Sequence, residues 1–221
     1  MKIIIIALIL RIIYAFLNTS YGPFLAADAD ALKFHEIAVS VSQDINNFDH
    51  RTAWIYASVL GLIYKIGFES IFFGSLISIL GWFVSAVIVL KIVKMFKIES
   101  NSKKIILILF SFWPSAIIFT SITLRESFQL LFFTLAIYSF LKIFLEDKTK
   151  YNFTFFISLF ILPLIHKMFS MYSVILFLFY IIFFIKSLKK ENYKILILFF
   201  LSFGIIIFFN IEVISTYFYD T

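Results

Sequence analysis

The sequence has no cysteine, only three proline and six glycine, and 14% charged residues in a chain of 221. Without cysteine there are no disulfides, no Cys-ligated zinc or iron–sulfur centres and no thiol nucleophile. With no Gly-rich turn and no βαβ pattern there is no phosphate loop for a soluble nucleotide or nucleotide sugar. Sparse charge goes with 62% hydrophobic residues and a mean hydropathy of +1.04, which excludes an ordinary soluble domain and marks an integral membrane protein. At about 20 residues per spanning helix, little of the chain is left outside the bilayer. A separate soluble catalytic domain is thereby excluded.

What is present is a series of apolar runs at 3–17, 71–90, 105–120, 128–141, 153–165, 172–185 and 195–209. Each reads as a helix, because an open strand cannot satisfy its backbone in lipid. The fold class expected is therefore all-α: a polytopic transmembrane bundle of about seven spanning helices, forming one membrane domain over residues 1–221. Several runs are shorter than a usual span, so flanking Tyr, Trp and Ser must share the interface or the bilayer must thin. Residues 54–68 form an eighth, weaker segment carrying Lys65. It reads as juxtamembrane or re-entrant at the outer face. The 32 Phe read as generic lipid-facing residues rather than a binding site.

The net charge of +6 does not point to nucleic acid. The lysines gather at 91–104, 142–150 and 186–194, and with Lys2 all fall on one side of a seven-crossing topology, the positive-inside pattern of a cytoplasmic membrane protein. Asp28, Asp30, Glu36, Asp44 and Asp49 concentrate in the opposite, outer loop, residues 18–53. An inverted topology with 54–68 spanning leaves the same lysine clusters inside. Lys2 and the shortness of that segment argue against it. Met1-Lys2 and the apolar run after them read as a retained signal-anchor with a cytoplasmic N-terminus.

In so apolar a chain the informative residues are the ionisable ones outside the lysine cuffs. Asp28 and Asp30 follow Gly22-Pro23 at the start of a short amphipathic helix that also carries Lys33, His35 and Glu36. Asp28, Asp30 and His35 could hold a divalent cation, Mg or Mn, or supply a general base. The plainer reading is that Asp28 caps the helix while Lys33 and Glu36 face water. A second group lies in the turn from Trp113-Pro114-Ser115 to Arg125-Glu126. Its Arg beside a helix N-terminus suits a phosphate, and equally suits an Arg–acid pair fastening the turn to the first loop. Arg11, about 13 Å along the first helix, must snorkel or find a bundle partner. His166-Lys167 forms a further polar pair at the outer end of the fifth run, either interfacial or part of the same site. Carboxylates and bases together in the outer half of a bundle suit a lipid-linked phosphate better than an ion channel.

The order of these features resembles bacterial polytopic membrane glycosyltransferases of the GT-C type, including members of surface-polysaccharide pathways. Arg11-Ile-Ile-Tyr14, Asp28-Ala-Asp30 through Phe34-His35, Trp54-Ile-Tyr56 with Gly61 to Gly67, and Pro114-Ser115 through Arg125-Glu126 carry the resemblance, over about residues 5–145. It implies transfer of a sugar from a polyprenyl-phosphate donor at the extracytoplasmic face. Asp28 or Asp30 takes the role of general base or metal ligand, and Glu126 that of a later acidic position. Arg11, His35, Lys65, Arg125, His166 and Lys167 are then substrate-binding candidates, with Arg125, Lys65 and Lys167 stabilising the departing lipid phosphate. Such enzymes are usually longer, so the acceptor half is missing, unnecessary or supplied by a partner membrane subunit. Two rival readings use the same residues: a polysaccharide repeat-unit polymerase, and a non-catalytic subunit of a glycan assembly complex.

Overall fold

A computed structural model describes residues 1–22, 28–51 and 54–187, apart from the side chains of Asp28, Lys186 and Ser187. The apolar run at 195–209 and most of the last lysine cluster lie outside the described residues. Among those described, the structure is helical with no strand. In chain order the helices are α1 (Lys2–Tyr21), α2 (Asp28–Gln43), a 3-10 turn (Ile45–Asn47), α3 (Ile55–Ile66), α4 (Ile71–Met95), α5 (Ser100–Phe112), α6 (Pro114–Thr120), α7 (Glu126–Glu146), α8 (Tyr151–Ile165) and α9 (Phe169–Ser187).

Three described helices, α1, α4 and α7, are long and apolar enough to cross a membrane, and α5 with α6 makes a fourth if the pair is one span. The run at 105–120, expected as one helix, is instead broken by 51° between α5 and α6. Pro114 causes the break. It has no N–H to continue the ladder, and it drives Trp113 before it into extended backbone, at φ −60° and ψ 120°. α3, α8 and the described part of α9 are apolar but shorter. At 1.5 Å per residue the 12 residues of α3 reach only about 18 Å, against about 30 Å of hydrocarbon.

α4 organises the bundle because one of its faces is small. Gly74, Ser78, Gly81 and Ser85 recur at four- and three-residue spacing and are buried, so neighbouring segments approach its backbone closely. α7 uses this face: a Cβ on Gly81 would stand 3.4 Å from that of Ser127. α2 and α3 form a separate pair, in which Ala31, Phe34, Ala38 and Val41 make the buried stripe of α2. Gly61 is the contact point. A Cβ there would come within 2.6 Å of the Ala38 carbonyl oxygen, a backbone atom that cannot move aside. Gly61→Val is expected to cost about 1–3 kcal/mol by overpacking, read as a lowered thermal unfolding midpoint in detergent. An unchanged midpoint would mean that the two helices separate freely.

The reading of phenylalanine as lipid-facing filler is corrected in the second half of the chain. Phe155 and Phe177 are buried among α7, α8 and α9 with Tyr180, whose ring stacks on Phe155 at 5.2 Å and on Phe184 at 5.8 Å. Offset and edge-on ring contacts hold these helices where leucines would give only area.

Candidate functional site

The site is built on a buried turn. Residues Ser121, Ile122, Thr123 and Leu124, between α6 and α7, are each 3% exposed or less. A turn this deep needs partners for its backbone. Ser78 Oγ donates to the Leu124 carbonyl at 3.1 Å and accepts from the Leu124 N–H at 3.3 Å, while Thr123 Oγ1 donates to the Ile71 carbonyl at 3.1 Å. Gly74 leaves room for this: a Cβ there would meet the Tyr64 hydroxyl and, at 2.8 Å, Thr123 Oγ1. The turn therefore delivers Arg125 and Glu126 to the start of α7 in one fixed position.

Arg125 joins three segments. Its Nη1 donates to the Ile165 carbonyl at 3.3 Å, one of the acceptors left over where α8 ends, and its guanidinium lies 5.6 Å from the ring centre of Phe34 on α2. The Arg–acid pair expected to fasten this turn is not what these contacts are: they run to a carbonyl of α8 and to an aromatic face of α2. Glu126 follows, with Asp30 within electrostatic range and with its Oε2 buried and lacking a hydrogen-bond partner among the described residues. Asp30 itself is exposed. The first-loop acid and the acid of the later turn, about a hundred residues apart in sequence, thus come within electrostatic range of each other.

His166 completes this corner. It ends α8 in extended backbone, and its Nδ1 accepts the Met168 N–H at 3.2 Å, which leaves the proton on Nε2. Burial, then the nearby charge of Arg125, lowers its pKa, so the ring is a neutral donor at pH 7. Lys167 beside it is exposed, as is Lys65 in the last turn of α3. Both are solvent-facing cations, outside the corner made by Arg125, Glu126, Asp30 and His166.

His35 is five residues beyond Asp30 and about 140° round α2, and it serves a second polar group. Its Nδ1 lies 3.0 Å from the Tyr64 hydroxyl, which donates to the Ser70 carbonyl at 3.1 Å. Tyr64 has one proton and a carbonyl can only accept, so His35 Nδ1 is the donor and Nε2 carries the lone pair. Glu69 is near both rings and also accepts a hydrogen bond from Ser42 Oγ. Burial pushes the Tyr64 hydroxyl up, keeping it protonated.

Burial lowers the pKa of His35 from its ordinary 6.5, although Glu36 and Glu69 pull the other way. The folded chain therefore binds fewer protons than the unfolded chain as pH falls below about 6.5, and the stability present above that pH is lost as pH drops through the folded value. His35→Gln is expected to flatten the decline of the unfolding midpoint between about pH 6.5 and pH 5. An identical decline in the variant would place the titration elsewhere.

Arg11 does not belong to this corner. It is fully buried, with Nε donating to Thr120 Oγ1 at 2.8 Å, Nη1 to the carbonyls of Ser111 at 2.9 Å and Ala7 at 3.1 Å, and its guanidinium 3.5 Å above the Trp82 ring. It found a bundle partner rather than the surface. The break at Pro114 supplies that partner, because it leaves the last carbonyls of α5 without helical donors.

A divalent cation was foreseen on Asp28, Asp30 and His35. Among the described residues no three His, Asp or Glu side chains converge, and the Asp28 side chain lies outside them. Asp30 lies within electrostatic range of Glu126. Such a pair fits Mg, which keeps several waters and is commonly held by one or two carboxylates plus substrate phosphate.

Beside the corner runs an apolar cavity of about 360 Å³ between α3, α4, α7 and α8, lined by residues that include Tyr56, Leu60, Ile77, Phe128, Phe132 and Ile165. The carbonyl that binds Arg125 belongs to Ile165, one of the residues lining this cavity. Tyr64, Glu69 and Gln129 were not among the expected site residues. A glutamine three residues beyond Glu126 in an apolar helix was the signal available in the sequence. Comparison of the chain with family models, with curated proteins and with solved structures finds no match.

Proposed function

We propose that the chain is a membrane glycosyltransferase that moves a sugar from a polyprenyl-phosphate donor to an acceptor hydroxyl at the extracytoplasmic face of the cytoplasmic membrane, in surface-glycan assembly. One observation supports this reading: a cation held by the Ile165 carbonyl, a neutral imidazole and two acids within electrostatic range of each other gather at the α7–α8 corner, next to an apolar cavity that Ile165 helps to line. A charged head with a long hydrocarbon tail fits that combination, and a soluble metabolite does not. The matching topology has about seven crossings, with α8, α9 and the run at 195–209 counted as spans and α2 and α3 on the outer face. The lysine clusters then lie inside.

In the reaction the acceptor oxygen attacks the anomeric carbon as the bond from that carbon to the phosphate oxygen breaks. The acceptor proton passes to a first-loop carboxylate, Asp30 or Asp28. Arg125 faces the charge that grows on the departing phosphate, and His166 Nε2 can donate to the same group. The cavity holds the first isoprene units. If a divalent cation takes part, Asp30 and Glu126 would hold it, its chemistry being to neutralise phosphate oxygens, and Asp28 would then be the base. A partner membrane subunit remains part of this proposal.

The test is transfer itself. The full chain, reconstituted in vesicles, is expected to move radiolabelled sugar from polyprenyl-phosphate hexoses to membrane glycolipid, and a reporter fused near residue 40 is expected on the extracytoplasmic side. A cytoplasmic reporter would remove the lipid-sugar reading. So would the absence of transfer from every donor in the presence of whole-membrane extract, which supplies any partner.

A further inference from the structure

The first two turns of α7 separate two hollows of different character. Phe128 and Phe132 face the apolar cavity, whereas Glu126, Gln129, Leu130 and Phe133, roughly 130° away round the helix, face another of about 370 Å³, closed on its far side by Phe169 and Tyr172 of α9. Two polar atoms in the residues lining this second hollow are buried without hydrogen-bond partners among the described residues: Glu126 Oε2, an acceptor, and Gln129 Nε2, a donor. Gln129 is only 7% exposed. Among the described residues nothing pairs with this amide donor, and a buried amide in an apolar helix calls for a partner.

The opposite wall is aromatic. Phe133 contacts Phe169 at 6.4 Å and Tyr172 at 6.1 Å, both edge-on, and Phe169 contacts Tyr172 at 5.5 Å. These rings present electron-rich faces and little hydrogen-bonding capacity. A ligand matching both walls has a hydroxyl that gives a proton to a carboxylate, an oxygen that accepts from an amide one turn along, and a flat array of polarised C–H bonds. A pyranose ring has all three. The carboxylate disfavours an anion here, so the phosphate end belongs on the Arg125 side of the helix and the neutral ring on the Glu126 side.

We infer that the hollow between α7 and α9 is a binding site for a neutral pyranose, with Glu126 and Gln129 taking its hydroxyls and Phe133, Phe169 and Tyr172 its apolar face. Within the proposed transferase this is the place of the sugar-bearing acceptor, and in that respect it rests on that reading. Binding itself does not require transfer. A panel of methyl hexopyranosides and methyl N-acetylhexosaminides is added at millimolar concentration to the full chain in nanodiscs, and saturation-transfer NMR reads contact. At least one glycoside is expected to show transfer to its ring protons. Gln129→Leu and Tyr172→Ala are each expected to lower that signal at least tenfold; Tyr172→Phe is expected to keep it. Tyr172 is 52% exposed, so its loss leaves the fold intact, and an unchanged unfolding midpoint confirms that. No signal from any glycoside in the wild type, or equal signals in wild type, Gln129→Leu and Tyr172→Ala, would overturn the inference. Glycoside binding without sugar transfer would sustain it while removing the transferase.

Discussion

Asp30→Asn is expected to lower sugar transfer by about 10²–10⁴, the range for losing a positioned general base, while the protein inserts, accumulates and unfolds as the wild type does. The two halves of this expectation have separate grounds. Asp30 is exposed on α2 and is not part of the stripe of Ala31, Phe34, Ala38 and Val41 that packs that helix, so its carboxylate contributes little to folding. Yet it lies within electrostatic range of Glu126, the residue that follows the arginine held by Ile165 and Phe34. The isosteric amide keeps the shape and hydrogen-bonding reach and removes only the basicity. Radiolabel transfer in vesicles and the thermal midpoint together check it. Asp28→Asn, made in parallel, assigns the base: the variant with the greater loss marks it, and full transfer in both would remove catalysis from the first loop.

How much of this corner could be read from the sequence depends on distance along the chain. Each polar group was visible because an ionisable residue in an apolar chain is conspicuous; Asp30, Arg125, Glu126 and His166 stand out wherever they fall. Their convergence was less visible. It depends on the Ser and Gly face of α4, which accepts the 121–124 turn, and no local pattern announces that Ser78 will serve Leu124 across 46 residues. The break at Trp113-Pro114 was legible in principle, since proline has a fixed local effect, but the apolar run through it read as continuous. Hydropathy marks what is apolar and is silent on whether the backbone is straight. The aromatic core around Tyr180 was illegible for a related reason: composition cannot separate a phenylalanine facing lipid from one facing another ring. Helix lengths limit the spans in the same way. α8, with 15 residues and Pro163 inside it, is apolar throughout yet shorter than a usual crossing.

Arg11 is where binding and folding make opposite predictions. If the guanidinium served substrate, Arg11→Met would abolish transfer and leave stability alone. The geometry predicts the reverse. All its described contacts are internal, to Thr120, Ser111, Ala7 and the Trp82 ring, and they tie α1 to the broken pair α5–α6 and to α4. Arg11→Ala removes these bonds and opens a hole beside Trp82, for an expected loss of about 2–5 kcal/mol, the range for deleting a large buried side chain. Arg11→Met fills most of that hole and no longer has to keep a charge dry, so its loss should be under about 1.5 kcal/mol, as apolar replacements of buried charges are commonly near neutral. Trp82→Leu tests the same knot from the other side. It leaves the charge buried and removes the ring that faces it, a change expected to cost about 2 kcal/mol or more. The unfolding midpoint of Arg11→Met should therefore lie above those of both Trp82→Leu and Arg11→Ala, with transfer by Arg11→Met close to wild type. A stable but inactive Arg11→Met would instead bring this arginine into the site, and the cation of the site would then not be Arg125 alone.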